Sequence, residues 1–377
     1  MKIIQVVTYI SPDGAYGGPA RVAMNQAKAL RDMGHDVVVV AAAGGFKGPL
    51  PKEYDGFPVH LFPSRRILPK TGFAGLCSPS LTIWLTKAVR DADVVHVHLA
   101  RDLVALPAAA LALMVGKRLV VQTHGMIDAT EKWLAKPLDW FLTRPVLAKA
   151  SSCLYLTSEE RDDLQGVAKR SLNLEHLKNG VPMPREEARG VPVKLDQPAS
   201  VLFLARLHEI KRPLTFVKAA QTIIERGHDV RFRLAGPDEG QAAAVQDAID
   251  ANGLGSNIMY EGPVAPHETA TRLAQCDVYV LPSLDETFPM SVIEALSVGK
   301  PVIVTKTCGL APFIEKSGSG IVVDGSAEEI SEAIMKIVDD PITRNDMEKR
   351  ARALAREEFA ISSVARQLIN IYSAIKK

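Results

Sequence analysis

The segment Leu281–Thr305, LPSLDETFPMSVIEALSVGKPVIVT, contains the pattern that decides the fold. A short apolar strand ends at Pro282-Ser283, and a helix rich in apolar residues follows it. Gly299 ends this helix just before a second strand, because glycine commonly follows a helix C-terminus. A buried strand, a covering helix and another buried strand indicate parallel pairing within one sheet.

The same alternation runs through the rest of the chain in two series. Each strand candidate is a short apolar run, which is typical of a sheet that helices cover on both faces. The first series contains Ile3–Tyr9, Val37–Ala43, Val94–His98, Leu119–Gln122 and Ser152–Thr157, with a helix over Arg21–Met33. The second contains Ser200–Leu204, Val230–Ala235, Asn257–Tyr260, Val278–Leu281, Pro301–Thr305 and Gly320–Val323. We therefore predict an α/β fold of two tandem doubly wound domains, with ligands bound beyond the carboxyl ends of the strands, in the cleft between them.

A linker is predicted between the two series. Residues 181–198, VPMPREEARGVPVKLDQP, contain prolines at 182, 184, 192 and 198 and no apolar periodicity. The length of 377 residues also favours two domains, because one domain usually has ~100–200 residues.

Composition excludes several classes of protein. Hydrophobic residues make up 47% and charged residues 23%, as in soluble globular proteins, and the net charge of +2 is too small for a dedicated nucleic-acid binder. The charge is uneven, since residues 1–180 carry 22 Lys/Arg against 16 Asp/Glu. The first half is therefore expected to meet anionic partners.

Neither the cysteines nor the apolar runs indicate a secreted or membrane-spanning protein. Cys77, Cys153, Cys276 and Cys308 form no CxxC pair, so neither a disulfide framework nor a thiolate zinc site is predicted. The longest apolar stretch, residues 103–116, is shorter than the ~20 residues needed to span a bilayer. The N-terminus lacks the pattern of a signal peptide, and we expect a cytoplasmic protein.

Two carboxylates in the opening segment are candidate ligand-binding groups. Glu286 and Glu294 are eight residues apart. On a continuous helix they would be separated by a rise of ~12 Å and face broadly the same way, which suits two parts of one long polar ligand. Exposed acids on a loop and a helix are the alternative, which the apolar neighbours of Glu294 disfavour.

Two cations follow a predicted strand in the second series. Arg206 comes directly after Ser200–Leu204, and Lys211 follows five residues later. A planar guanidinium and a compact ammonium at a strand's carboxyl end suit a diphosphate. Surface cations on a loop are the alternative.

The first domain offers a glycine loop and a group of histidines. Gly17-Gly18-Pro19 opens the first helix, where free N–H groups attract anions, although an ordinary tight turn is the alternative. His124 follows a strand, and His96 and His98 share one face of another strand. A metal site of these three was considered, but the spacing is not diagnostic. We therefore predict no metal site.

These motifs together resemble the retaining glycosyltransferases of the GT-B fold, in particular family 4 (glycosyl transferases group 1). The resemblance rests on PSLDETFPMSVIEA with its E-x7-E spacing, ARLHEIK, the GGP loop, THG, and NGV at Asn179-Gly180-Val181. It implies two Rossmann-like domains facing across a cleft. It also implies transfer of a sugar from a nucleoside-diphosphate sugar with retention of anomeric configuration, without a metal or another cofactor.

The resemblance implies a role for each matched residue. Arg206 and Lys211 would bind the donor diphosphate, and Glu294 would bind the ribose hydroxyls. Glu286, with backbone N–H groups near Phe288-Pro289-Met290, would bind the transferred sugar. The Gly17-Gly18 loop would offer its backbone to the phosphates, and His124 would contact the sugar or the reacting face. Ala205 and Pro289 stand where the family often has glycine, and these departures bear on the identity of the donor.

The resemblance also suggests how the chain is divided. We assign residues 1–180 to an acceptor-binding domain, 181–198 to the linker and 199–360 to the nucleotide-sugar domain. A C-terminal helix over 361–377 is expected to cross back to the first domain.

Four other functions are alternatives to this one. An NAD-dependent oxidoreductase would need GxGxxG after the first strand, which is absent. A glycosidase would need carboxylates ~5–9.5 Å apart, and a sugar-binding protein would not need the diphosphate cations. A nucleotide-sugar epimerase of the same fold is the main alternative.

A basic and apolar stretch suggests the acceptor. Residues 56–90 contain no Asp or Glu, which favours docking on an anionic membrane to reach a lipid-linked or otherwise anionic acceptor. The family resemblance implies that this acceptor belongs to the synthesis of bacterial surface polysaccharide or glycolipid. A soluble anionic acceptor is the alternative. The residues concerned are Arg65, Arg66, Lys70, Lys87 and Arg90 among Phe62, Ile67, Leu68, Phe73, Leu76 and Trp84.

Overall fold

A computed structural model describes residues 1–12, 14, 17–67, 72–130, 135–184 and 198–375, without the side chains of residues 72 and 73. The chain forms two compact units. The first unit comprises Met1–Gly180 and Ile361–Lys377, and the second comprises Val181–Ala360. Residues 185–197, most of the predicted linker, lie outside the described part of the chain.

The first unit is built on a mainly parallel sheet. Its strands are β1 Lys2–Ile10, β2 Asp36–Ala43, β3 Glu53–Tyr54, β4 Phe57–Pro63, β5 Arg65–Arg66, β6 Leu76–Cys77, β7 Val94–His98, β8 Arg118–Gln122, β9 Ser152–Tyr155 and β10 Leu174–His176. Among the described residues, eight of these strands form one sheet in the order β10-β9-β8-β7-β1-β2-β4-β3. Only β3 runs antiparallel to its neighbour, and β5 pairs with β6 in a separate hairpin.

Helices cover both faces of this sheet. They are α1 Gly17–Asp32, α2 Pro79–Asp91, α3 Ala105–Met114, α4 Ala135–Leu138, α5 Arg144–Lys149 and α6 Ser158–Ala168, with a π-helical turn at Asp139–Thr143. Buried side chains of α2, α3, α5 and α6 share one core with the sheet, and those of α1 form the core of the opposite face. Because both faces are buried, the central strands are mainly apolar, with buried polar exceptions at Gln5, His96, His98 and Gln122.

The second unit has a fully parallel sheet. Its strands are β11 Ala199–Leu204, β12 Val230–Ala235, β13 Ile258–Tyr260, β14 Val278–Leu281, β15 Val302–Thr305 and β16 Gly320–Val323. In the described part of this unit they form one six-stranded sheet in the order β13-β12-β11-β14-β15-β16. Its helices are α7 Pro213–Glu225, α8 Ala242–Ala251, α9 Thr269–Ala274, α10 Met290–Ser297, α11 Ala311–Ser317, α12 Ala327–Val338 and α13 Pro341–Glu358.

The direction of the strand order reverses between β11 and β14. Ligands of doubly wound sheets bind at such a switch point, beyond the carboxyl ends of the strands. Each unit is therefore a Rossmann-like α/β layer structure, which confirms the predicted fold class.

The last helix, α14 Ile361–Ala374, belongs to the first unit. Its buried residues Val364, Leu368 and Tyr372 lie in the same core as α1. Gly180 lies beside the start of this helix, and a Cβ added to Gly180 would stand 2.9 Å from the Cα of Ile361.

One long strand of the sheet, β4, was not predicted from the sequence. In β4, Phe57 and Val59 are buried while Pro58 and His60 are exposed. This alternation is typical of a half-covered strand near the edge of a sheet, and it differs from the mainly apolar runs of the central strands.

Among the described residues, every helix is too short or too polar to span a membrane.

Candidate active site

Arg206 lies just beyond β11, at the carboxyl edge of the second sheet. Its guanidinium forms an ion pair with Glu239, in the loop after the neighbouring strand β12. The backbones of the two loops are joined, since Leu207 N–H donates to Pro237 O at 2.8 Å and Glu239 N–H donates to Leu207 O at 3.1 Å. The contact with Glu239 engages part of a guanidinium that has five N–H donors, so others remain for a ligand.

The structure brings Lys211 and Glu286 together. Lys211 ends a 3-10 turn at Glu209–Lys211, and its ammonium forms an ion pair with the Glu286 carboxylate. Only 17% of the Lys211 side chain and 11% of the Glu286 side chain are exposed. Leu284 N–H donates to Ile210 O at 3.0 Å, which ties the two loops together. A cation and a carboxylate suited to phosphate and hydroxyl groups thus share one edge of the sheet.

The Glu286 loop is fixed from its other side by the loop after β15. Thr305 Oγ1 donates to Ser283 O at 2.6 Å, and Gly309 N–H donates to Glu286 O at 2.7 Å. This approach requires glycine, since a Cβ on Gly309 would lie 2.0 Å from Thr287 O. The loop is therefore preorganised before any ligand binds.

The predicted helical relation between Glu286 and Glu294 is wrong. Helix α10 begins at Met290, so Glu286 lies in the preceding loop and Glu294 lies in the helix. Proline has no N–H and suits a helix start, which explains the boundary at Pro289. Pro289 therefore cannot donate to a ligand, and the donors at this terminus are backbone N–H groups of neighbouring residues.

Phe288 has a structural side chain. Its ring is 8% exposed and packs edge-on against Phe359 at 5.7 Å between ring centroids. Its side chain therefore stabilises the loop, and only its backbone is suited to the predicted contact with a sugar.

The carboxylates of Glu286 and Glu294 both act electrostatically on the buried phenol of Tyr279. Burial raises the pKa of Tyr279 well above its ordinary value, and the carboxylates of Glu286 and Glu294 raise it further. The Tyr279 hydroxyl lies 2.7 Å from Ser291 Oγ and 3.1 Å from Leu204 O. It thereby connects α10 to the end of β11.

In the first unit, Gly17 and Gly18 form the start of α1. Among the described residues, no atom outside the local chain lies within 4 Å of the position that a Cβ would take on Gly17 or Gly18. The backbone of this terminus is thus open to close approach, as the sequence predicted for an anion.

His124 follows β8 and has a left-handed backbone, with φ of 54°. Its Nε2 lies 2.8 Å from His98 Nδ1, and the planes of the two rings are nearly parallel. His96 stacks on His98, and its Nδ1 lies 2.7 Å from the Tyr372 hydroxyl. Burial lowers the pKa of His96 and of His124 to about 3, and it holds the pKa of His98 well below its ordinary value. The three imidazoles are neutral near pH 7.

The histidines do not form a recognisable metal centre. Within the described ranges, no group of three His, Cys, Asp or Glu side chains has metal-binding geometry. Instead, Nδ1 of His98 and Nε2 of His124 face each other at hydrogen-bond distance. Metal independence and the absence of a cofactor stay predictions.

Sequence reasoning missed three carboxylates at these edges. Glu239 is the partner of Arg206. Asp102 accepts bonds from Thr8 Oγ1 and from two N–H groups at the start of α3, each at 2.7 Å, and burial raises its pKa to about 6. Glu160 binds the His124 loop. Only Glu160 has a local signal, the T-x-x-E pattern of a capping box that begins at Thr157.

Two family models match the two halves of the chain. Residues 184–354 match the glycosyl transferases group 1. Residues 17–173 match the glycosyl transferase 4-like domain. Between them the two matches contain every site residue that the sequence predicted.

Two curated relatives show the same relationship. The chain is 26% identical over 278 residues to alpha-D-kanosaminyltransferase from Streptomyces kanamyceticus, covering 70% of this chain and 72% of that protein. It is 31% identical over 196 residues to D-inositol 3-phosphate glycosyltransferase from Arthrobacter sp. (strain FB24). That match covers 51% of this chain and 46% of the relative, so the chain spans about half the length of that protein.

A solved structure establishes the fold. Anabaena Alr3699/HepE in complex with UDP and glucose superposes with a TM-score of 0.77 at 18% identity. The superposition covers 98% of this chain and 99% of that one.

Proposed function

Because this chain belongs to the group 1 glycosyltransferases, we propose that it moves a sugar from a nucleoside-diphosphate sugar to an acceptor hydroxyl with retention of anomeric configuration. The observation that carries this proposal is the meeting of Lys211 and Glu286 beside Arg206 at the switch point of the second sheet. The product belongs to a surface polysaccharide or glycolipid. The comparisons give no support to an epimerase.

The charges of the second unit suit the departure of a nucleoside diphosphate. Negative charge builds on the phosphate oxygens as the bond to the sugar breaks, and fixed cations stabilise that charge. Arg206 offers a planar fork, and Lys211 keeps N–H donors beyond the one directed at Glu286. The phosphate oxygens of a donor would either bind Arg206 and Lys211 in addition to their carboxylate partners or displace those carboxylates from the cations.

The carboxylates suit the hydroxyl groups of the same donor. Glu286 is oriented by Lys211 and by the loop after β15, so it can accept hydrogen bonds from the transferred sugar. Glu294, 8% exposed, would accept from the ribose hydroxyls. In the first unit, the Gly17-Gly18 terminus would bind phosphate and His124 would contact the sugar.

We expect the protein to release free nucleoside diphosphate from one member of a panel of UDP, GDP and ADP sugars. UDP sugars are the first choice, since Alr3699/HepE is described in complex with UDP and glucose. Release should persist in excess EDTA, because Arg206 and Lys211 supply the positive charge. An assay of nucleotide release, with NMR of the sugar product, measures both the transfer and the anomeric outcome.

The controls in this assay separate the alternatives. Isomerised donor without free nucleotide would indicate an epimerase. Activity that EDTA abolishes and magnesium or manganese restores would overturn metal independence. An anomer of inverted configuration would overturn retention.

A second proposal concerns an anionic membrane surface, and exposed apolar side chains of the first unit support it. Trp140 is 66% and Phe141 is 73% exposed in the π-helical turn, and Ile83 is 67% exposed on α2. These elements cover the same sheet face, since α2, α3 and α5 share one core. Large exposed aromatic side chains are typical of a membrane interface.

Only some of the residues predicted for membrane contact in the basic stretch 56–90 are exposed. Arg65, Lys87 and Arg90 are exposed, and Ile67 is 58% exposed. Leu76 is buried, and Trp84 packs between His60 and Phe62 against the core, so these apolar side chains are not available. Residues 68–70 and the side chain of residue 73 lie outside the described part of the chain.

We expect the protein to sediment with phosphatidylglycerol vesicles at low salt and to stay in solution with neutral ones. Each cation near an anionic surface contributes about 1 kcal/mol, so Arg65→Glu/Arg66→Glu should abolish binding, as should Trp140→Ser/Phe141→Ser. Ile342→Ser, an exposed apolar residue of the second unit, is the matched control. Wild-type protein that stays in the supernatant would leave a soluble anionic acceptor as the explanation.

A further inference from the structure

Glu160 is a buried carboxylate beside the His124 loop. It lies in the first turn of α6 and is 2% exposed. Its Oε1 accepts from Thr123 Oγ1 and from Gly125 N–H, both at 2.6 Å. Its Oε2 accepts from Leu156 N–H at 2.7 Å. One carboxylate thus binds the residues on both sides of His124 and the end of the strand before α6.

Burying a carboxylate is unfavourable unless hydrogen bonds compensate for the lost water. Burial raises the pKa of Glu160, and the bonds from Thr123, Gly125 and Leu156 oppose this rise. An apolar residue would fill the same space without this cost. Filling space in the core therefore does not explain why a carboxylate stands at position 160 and binds Thr123 and Gly125.

The loop has an unusual backbone. His124 and Gly125 both have positive φ, of 54° and 73°. A side chain larger than glycine in this region costs of order 1 kcal/mol, and such strain persists only where surrounding contacts enforce it. Glu160 supplies those contacts, because its Oε1 holds Thr123 and Gly125 at fixed positions around His124.

The ring of His124 is fixed from a second direction. The Nδ1 of His98, on the neighbouring strand β7, lies 2.8 Å from Nε2 of His124 and fixes the orientation of the His124 ring. The backbone is held by Glu160 and the ring by His98, so the free edge of the imidazole has a defined direction.

We propose that Glu160 is the positioning residue for His124, holding the Thr123–Gly125 loop in its left-handed conformation so that the imidazole is oriented for glycosyl transfer. The inference rests on the proposed function. It assigns no contact between Glu160 and the substrate, and Glu160 acts only through the loop.

The test compares Glu160→Gln with Glu159→Gln. Both acids lie in the first turn of α6, so both changes remove the same favourable charge at a helix N-terminus. Glu159 is exposed. A glutamine at position 160 keeps one carbonyl but turns an NH2 group towards at least one of the three donors.

We expect Glu160→Gln to lower kcat by about 10- to 100-fold, the range for loss of an orienting group. The KM for the donor should change less than about twofold, because Arg206 and Lys211 on the second unit would bind the diphosphate. Glu159→Gln should leave both constants unchanged. Thr123→Val should resemble Glu160→Gln, and Thr123→Ser should restore the wild-type kcat because the hydroxyl donor remains.

Hydrogen exchange gives a readout that does not depend on transferase activity. The Gly125 amide should exchange at least about tenfold faster in Glu160→Gln than in Glu159→Gln, because its acceptor is weakened. Thr123→Val keeps Glu160 and serves if Glu160→Gln does not fold. Unchanged kcat in Glu160→Gln and Thr123→Val, or unchanged exchange at Gly125, would overturn the inference. Wild-type protein that releases no nucleotide from any sugar donor would instead overturn the proposed function.

Discussion

Arg206→Ala and Lys211→Ala should each lower turnover by about 100- to 1,000-fold, the usual effect of removing one group that stabilises charge in a transition state. The charge that develops on the departing diphosphate would lose one of two fixed cations. The Lys211 change also leaves Glu286, with 11% of its side chain exposed, without its ammonium partner. Steady-state release of nucleoside diphosphate measures both variants.

Matched controls come from exposed cations of the same unit. Lys218 lies on α7 and Arg231 on β12, and both are exposed. Lys218→Ala and Arg231→Ala change the net charge by the same amount and should keep wild-type turnover. Wild-type turnover in Arg206→Ala or Lys211→Ala would show that the diphosphate is bound elsewhere.

Lowering the pH from 7 to 5 should destabilise the first unit by about 2 kcal/mol for each buried histidine whose pKa is about 3. Burial is the main cause of the low pKa of His96 and His124, which remain neutral in the folded chain. In the unfolded chain their pKa is near the ordinary histidine value of 6.5, so the unfolded state binds more protons below that pH. Stability is therefore complete above about pH 6.5 and is lost as pH falls towards 3.

Tryptophan fluorescence can follow this unit alone, because Trp84, Trp133 and Trp140 all lie within it. Urea unfolding of wild-type protein and His96→Gln at pH 7 and 5 measures the effect. The amide of glutamine does not titrate and can still bond the Tyr372 hydroxyl, so this variant should lose about 2 kcal/mol less than wild type on acidification.

The control for acid unfolding is His228→Gln, which changes an exposed histidine of the second unit. It should unfold with the pH dependence of wild type. An equal loss of stability in wild type and His96→Gln would show that His96 is protonated in the folded chain.

Local patterns in the sequence are sufficient to predict the layers of both units. Short, mainly apolar runs mark the strands, so Val94–His98, Val230–Ala235 and Val278–Leu281 were predicted with the bounds that the structure has. The position of Arg206 beyond the end of a strand was also predicted, because the end of an apolar run in the sequence marks the end of the strand. Local periodicity carries this information.

The tertiary structure alone decided which of these groups meet. Lys211 and Glu286 are 75 residues apart, and Thr123 and Glu160 are 37 residues apart. Their contacts depend on strand order and on loops that approach one another only after the sheet forms. The same reason applies to Trp84, which sequence placed on a membrane-facing surface and the fold placed against the core. The spacing of residues along the chain determines which side chains share one face of a helix or strand. The packing of elements distant in sequence determines what that face contacts.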